Sequence, residues 1–152
     1  SAELLQRLDD DYTRIRTRIR AEFPHQNFDY MLNYLDLERL SYQSCSENIK
    51  DSFVHSETLG TIKTPVIQSG SSYVFDKNHR FFHDDIYCGL AVAKWFAERF
   101  ELRVESIDEI LRWAETILED RILTANGILN RSNGRIRTPD FYDLHEDAAI
   151  FS

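Results

Sequence analysis

Apolar residues recur along most of this chain at three- and four-residue intervals, the repeat of amphipathic helices. Leu4, Leu5, Leu8, Tyr12, Ile15 and Ile19 mark one face of a long helix over about 2 to 22, which Phe23-Pro24 ends. The residue before a proline is pushed out of the helical region. Phe28, Met31, Leu32, Leu35, Leu37 and Leu40 predict a second helix opening near Asn27 and fading near Ser44-Cys45-Ser46, with a short helix over about 46 to 54 after it.

Between about 56 and 84 the pattern changes. Gly60, Pro65, Gly70-Ser71-Ser72 and Asp76-Lys77-Asn78 are turn residues set close together. Ile62, Val66-Ile67 and Tyr73-Val74-Phe75 are short apolar anchors among them. One long loop or small hairpin is expected there, and long loops in compact domains tend to be functional.

Helical spacing resumes with Ile86, Leu90, Val92, Trp95, Phe96 and Phe100. Ser106 and Glu109 then read as a capping box, with Asp108 in the positive first turn. Ile107, Ile110, Leu111, Ala114, Ile117 and Leu118 form the stripe of that helix, and a shorter helix is expected over about 119 to 131. From Ser132 onward, Gly134, Pro139 and scattered acids predict an irregular, loosely docked tail. These patterns together predict a mainly α fold. It is a single helical domain of about five to six helices over 1–131, with one long loop or small hairpin at about 56–84 and a C-terminal tail at 132–152. No Gly-rich phosphate loop and no alternation of strands and helices occurs, so a Rossmann or Walker unit is absent from this sequence.

Composition narrows the function classes. Five Gly and three Pro in 152 residues leave few turns, which suits long helices. A net charge of −8 argues against nucleic-acid binding, which needs a basic surface. The local exception, Arg14, Arg16, Arg18 and Arg20, reads as solvated arginines flanking a buried Ile15/Ile19 seam. Cys45 and Cys88 are too few for a disulfide framework and are expected to be free, buried thiols of a reducing cytosol. The apolar stretch near Ile86 to Ala93 is far short of the roughly 20 residues needed to span a bilayer. No signal peptide is visible, so a cytoplasmic location without membrane contact is expected. The chain opens Ser-Ala-Glu rather than with Met, which a piece of a longer protein, tag removal or Met processing would each produce.

The candidate chemistry lies in Arg80-Phe81-Phe82-His83-Asp84-Asp85, where the turn-rich stretch meets a helix. A helix start exposes unpaired N–H groups and partial positive charge, which favour carboxylates. An arginine such as Arg80 can grip a substrate carboxylate bidentately. A carboxylate such as Asp85 can orient and charge-stabilise an acid/base histidine. The purely architectural alternative makes Asp84 the helix cap, Asp85 a first-turn residue and Arg80 the ion-pair partner of one of them, with His83 a loop residue.

The block Arg80-Phe81-Phe82-His83-Asp84-Asp85-Ile86-Tyr87-Cys88-Gly89-Leu90 resembles the Arg-x-x-x-(Glu/Asp)-Asp-(Val/Ile)-Pro-x-Gly-Leu motif of the helical C-terminal domain of octopine/nopaline (opine) dehydrogenases. Val104-Glu105-Ser106-Ile107-Asp108-Glu109-Ile110 resembles that family's Pro-Thr-Pro-x-Ile-Asp-x-Ile segment, and Ile62-Lys63-Thr64-Pro65 sits where the family has a short proline-containing loop. Tyr87 replaces the usual proline, and Val104-Glu105-Ser106 replaces Pro-Thr-Pro. The likeness spans roughly residues 1 to 120.

The resemblance implies that 1–131 is a substrate-binding-like domain of an oxidoreductase. Such an enzyme joins an amino acid to an α-keto acid and reduces the product imine with NAD or NADP. The cofactor would be bound by an N-terminal Rossmann-type domain outside this chain, leaving the chain inactive alone. Asp85 then matches the acid that orients a catalytic histidine. Arg80 matches the arginine that binds substrate carboxylate or holds the histidine–aspartate pair, and His83 and Tyr87 are taken as further substrate-binding residues. The family's catalytic histidine has no counterpart, and His25, His55, His79 and His83 are candidates only by default. A helix-rich surface without its partner domain could also self-associate, which makes a homodimer a further expectation.

Two rival readings use other features. Ten Phe, seven Tyr and two Trp suit a helical interaction module without catalysis, although Trp95 and Trp113 fall at core-like helical spacing. The pair His83-Asp84, with His55 upstream and His79 four residues before His83, suits a helical metal-dependent phosphohydrolase of the HD type. Against it, Asn78 and the preceding Gly/Ser turns argue for loop rather than a rigid ligand-bearing helix.

Overall fold

A computed structural model describes residues 2–56, 60–145 and 150–151. Residues 57–59 of the turn-rich excursion, and 146–149 and 152 of the tail, lie outside the described residues. The architecture is mainly α, as the periodicity predicts, and it packs as two compact units, Ser1–Tyr73 and Val74–Ser152.

In the first unit, helix α1 (Ala2–Glu22) buries Ile15 and Ile19 on the predicted face and packs against α3 (Ile49–His55). Each fully buried isoleucine contributes about 1.5–3 kcal/mol. The arginines beside that seam are all engaged. Arg14 pairs with buried Asp11, Arg16 with Asp9 at 3.1 Å and Arg18 with Glu22 at 2.7 Å, while Arg20 donates to the Met31 carbonyl at 2.7 Å.

The second helix is shorter than its apolar pattern suggests: α2 spans Tyr34–Tyr42, and 23–33 is a chain of turns. The Asn33 side chain accepts the Asp36 amide at 2.9 Å, which fixes the helix start there rather than near Asn27. Asp9 accepts the Tyr34 amide as well, at 3.1 Å. Asn48 caps α3 in the same way, through the Asp51 amide. Ser52 then donates to buried Glu38 at 3.1 Å and hydrogen-bonds the Tyr34 hydroxyl, so α2 and α3 share a polar interior.

The small hairpin exists as β1 (Val66–Ser69) and β2 (Ser72–Phe75), joined by Gly70-Ser71. Gly70 has φ +61, the conformation that favours glycine in a two-residue hairpin turn.

In the second unit an unbroken helical run covers 80 to 99. It comprises one α turn (α4, Arg80–Phe82), a π-helix (π1, His83–Leu90) and helix α5 (Ala91–Arg99). Helix α6 (Glu105–Leu118) buries Ser106, Ile107, Leu111 and Ala114. Its cap is Val104, so Ser106 lies inside the first turn rather than at the cap position that the sequence predicts. Trp95 is in the core as expected, but Trp113 is about half exposed.

The helix expected over 119–131 is absent. Glu119 ends α6 at φ +54, and the chain continues as a loop closed by the antiparallel bridge of Leu123 with Leu129. Its amides have found better acceptors than a helical ladder. Ile122 and Leu123 donate to one Glu115 oxygen, both at 2.8 Å, and Leu129 donates to Glu98 at 2.7 Å. From Ser132 to His145 the chain is irregular apart from the 3-10 turn Pro139–Tyr142. It is nonetheless anchored through buried Ile136 and Thr138, and through Asp140, which accepts from the Trp95 indole at 2.7 Å and pairs with Arg131. Among the described residues no helix is long and apolar enough to cross a membrane.

Candidate functional site

His79 caps the helical run: its Nδ1 accepts the Phe81 amide at 3.3 Å. Asp84 is therefore not the cap, and His83 is not a loop residue. Both stand one turn in, at the head of the π-helix. Arg80 and Asp84 form an exposed ion pair at 3.4 Å, of the kind worth at most about 1 kcal/mol. The architectural role foreseen for Arg80 is thus present, and it leaves most of the guanidinium open to solvent.

Asp85 follows on the same segment. Partial burial pushes its carboxyl above the usual aspartate range, the neighbouring Asp84 adds to that, and Arg80 opposes it. An acid with raised affinity for a proton, beside an unburied arginine, can hold a hydrogen bond to a neighbouring base or exchange a proton with it. Arg80 and Asp85 are thus brought together by one stretch of helix.

Tyr87 behaves otherwise. It is 1% exposed, and its hydroxyl donates to Asp120 at 2.7 Å. Tyr87, expected to bind substrate, thus has its hydroxyl engaged within the domain. Burial pushes the phenol above its usual value, and the Asp120 hydrogen bond pushes it the same way. Asp120 feels the opposite balance: burial raises it, but hydrogen bonds from Tyr87, Asn133 and the Arg121 backbone, with Arg135 at 3.7 Å, hold it below the usual range. His83 is half-buried, its ring 5.7 Å from that of Tyr87.

Sequence reasoning missed two things here. The π register is one: helices with i→i+5 bonding are rare and occur frequently at functional sites. The Tyr87–Asp120–Asn133 latch is the other. Neither leaves a local signal, because the partners of Tyr87 lie far along the chain.

Three surface clefts among the described residues lie elsewhere. The largest of the three, about 730 Å³, is lined by Glu38, Cys45, Asp51 and His55 among others, and none of the three includes Arg80 or Asp85. Cys45 and Cys88 are free, but exposed rather than buried. No group of three His, Cys, Asp or Glu among the described residues could hold a metal ion, His83-Asp84 included. A nicotinamide dinucleotide also finds no fit. The described sheet is one two-stranded hairpin, with no strand, glycine loop and helix start to seat a pyrophosphate.

The fold is that of the α-helical domain of a dehydrogenase. More particularly, the chain belongs to the NAD/NADP octopine/nopaline dehydrogenase family, whose α-helical domain matches residues 1–118. Solved structures of octopine dehydrogenase share the fold. The complex with NADH and pyruvate superposes with a TM-score of 0.76 at 19% identity, over 98% of this chain and 36% of that one. The complex with NADH and L-arginine gives 0.81 at 18% over 99% and 38%, and that with NADH and agmatine gives 0.82 at 18% over the same shares. This chain thus spans little more than a third of the length of those enzymes. No curated protein sequence matches it.

Proposed function

We propose that this chain is the substrate-side domain of an opine-type dehydrogenase, an enzyme that joins an amino acid to an α-keto acid and reduces the product with NADH or NADPH. What supports the reading is the family match over residues 1–118, with Arg80 and Asp85 at the positions of the family's motif on an exposed helix start. The nicotinamide cofactor, which supplies the hydride when bound, belongs to a Rossmann-type domain N-terminal to this one, and the protein works in the cytoplasm as a homodimer. The solved relatives hold pyruvate or L-arginine beside NADH. A keto acid and an amino acid of those classes are the natural first substrates to test.

In this reading Arg80 binds a substrate carboxylate through its free guanidinium edge, and His83 lines the same approach. Asp85 orients the catalytic histidine supplied from outside this chain, and its raised proton affinity keeps the shared proton near the histidine–aspartate pair. Closure of a second domain over this exposed face would exclude water from both groups.

The test is turnover by the protein joined to its nucleotide-binding domain, followed by NADH and NADPH oxidation with pyruvate and a panel of amino acids that includes L-arginine. Asp85→Asn should lower kcat/KM by about 10²-fold or more. Arg80→Ala should act mainly through KM for the carboxylate substrates, by about 10-fold or more. Folded protein that turns over no pair of substrates would sink the reading.

A further inference from the structure

The π-helix poses a question of its own: why do eight residues in the middle of a helical run abandon the α register? The answer lies in the hydrogen bonds where the register changes back. The Ala91 amide donates to the Ile86 carbonyl, five residues earlier, rather than to Tyr87 four residues earlier as an α-helix requires. The Tyr87 carbonyl accepts instead from the Arg137 amide, at 3.0 Å. A change from i→i+5 to i→i+4 bonding leaves a carbonyl over, and here a backbone donor from the C-terminal segment takes it.

That donor is held in place. Its neighbours Ile136 and Thr138 are buried, and the Ile136 amide bonds Asn133 at 3.1 Å. Asn133 in turn donates to Asp120, the acceptor of the Tyr87 hydroxyl. On the far side, Asp140 ties the segment to Trp95 and Arg131. Residue 87 is therefore gripped twice, at its carbonyl by Arg137 and at its hydroxyl by Asp120.

We infer that the Arg137 backbone N–H, by capturing the Tyr87 carbonyl, is the wedge that holds His83–Leu90 in the π register and so sets how Arg80 and Asp85 are turned relative to the helix after Ala91. Inserted donors are a recognised cause of broken i→i+4 ladders. Without the wedge, the Ala91 amide and the Tyr87 carbonyl would satisfy each other, and the helix would tighten by one residue. Every side chain from His83 back toward Arg80 would then turn relative to those after Ala91. Arg137 acts here through its main chain, and it is a positioning residue rather than a catalytic one. The register itself stands independently of the proposed reaction; only its consequence for Asp85 as a working group rests on that reading.

Hydrogen-bond scalar couplings in the labelled full chain test this directly, because they identify which carbonyl each amide uses. The unaltered chain should show Ala91 coupled to Ile86 and Arg137 coupled to Tyr87. Arg137→Pro deletes the donor, and the Ala91 coupling should then move to Tyr87; Arg137→Ala keeps the amide and should leave both couplings in place. A folded Arg137→Pro chain with Ala91 still on Ile86 overturns the inference. Should that variant not fold, Asp140→Ala loosens the segment instead. Amide exchange at Arg137 should then quicken about 10-fold or more and Ala91 should shift toward Tyr87 in proportion; faster exchange at Arg137 with Ala91 unmoved overturns it as well. None of these readouts involves turnover, so an enzyme without opine chemistry would leave them unchanged.

Discussion

The helix Ala2–Glu22 and the helical run from Arg80 to Arg99 are nearly equal in length and unlike in every other respect. The first is regular, with an isoleucine seam on one face and arginines closing ion pairs along the others. It keeps one register from end to end, and its stability comes from packing. The second changes register twice and has a carbonyl taken by a residue fifty positions on. Its shape is set from outside. The difference separates a helix that holds a fold together from one whose register is tied to a distant segment of the chain.

The largest effect that could break this contrast is in the regular helix. Ile19→Ala should cost about 2–4 kcal/mol in denaturant unfolding, from lost transfer energy plus a cavity in a closely packed seam. A cost below about 1 kcal/mol would mean that the seam is not what holds α1.

Next comes the latch on the adjusted helix. Tyr87→Phe leaves Asp120 short of a donor and should cost about 1–3 kcal/mol at neutral pH. The cost carries a pH signature. Asp120 sits below its ordinary value of 3.8 in the folded chain, so its contribution is complete above that pH and is lost as pH falls through the lower folded value. Unfolding of the two proteins compared at pH 7 and below pH 3 should show the gap closing in acid. A gap that persists in acid would point to lost packing of the hydroxyl itself rather than to its bond with the Asp120 carboxylate.

Asp85 has the opposite sign. Its folded affinity for a proton is raised, so ionising it as pH rises past 3.8 works against the fold. Asp85→Asn should therefore hold or slightly raise the melting temperature, by no more than about 2 °C for so exposed a group, while turnover collapses. A variant that loses activity and stability together would make Asp85 architectural. The smallest effect belongs to Arg18→Ala, which removes an exposed pair with Glu22 and should stay within about 0.5 kcal/mol.

What could be read in the sequence follows from the same contrast. The long first helix, the short third one, the hairpin and the stripe of Glu105–Leu118 announce themselves through local period and turn chemistry. Arg80 and Asp85 stand out through charge at a helix start and through the family motif. The errors share one cause, a side chain or backbone group reaching in from elsewhere. Asn33 and Asp9 take the first amides of α2 and move its start past Phe28 and Met31. Glu115 and Glu98 draw off the amides of 119–131 and prevent a helix there. Burial of Tyr87 against Asp120, and the π register held by Arg137, depend on pairings that no window around residue 87 contains.

The two glutamates that pin the loop at 119–131 decide where the chain can be cut. Glu115 holds Ile122 and Leu123 on one side, Glu98 holds Leu129 on the other, and the tip at Ala125-Asn126-Gly127 makes no anchoring contact with either carboxylate. The strap is fastened at both ends, and its tip is a turn closed on itself through Thr124, Gly127 and Ile128. A nick or short insertion between Ala125 and Asn126 should leave each half fastened to its own helix, so the chain could be opened there to receive new termini or a reporter domain while the helical run bearing Arg80 and Asp85 stays intact.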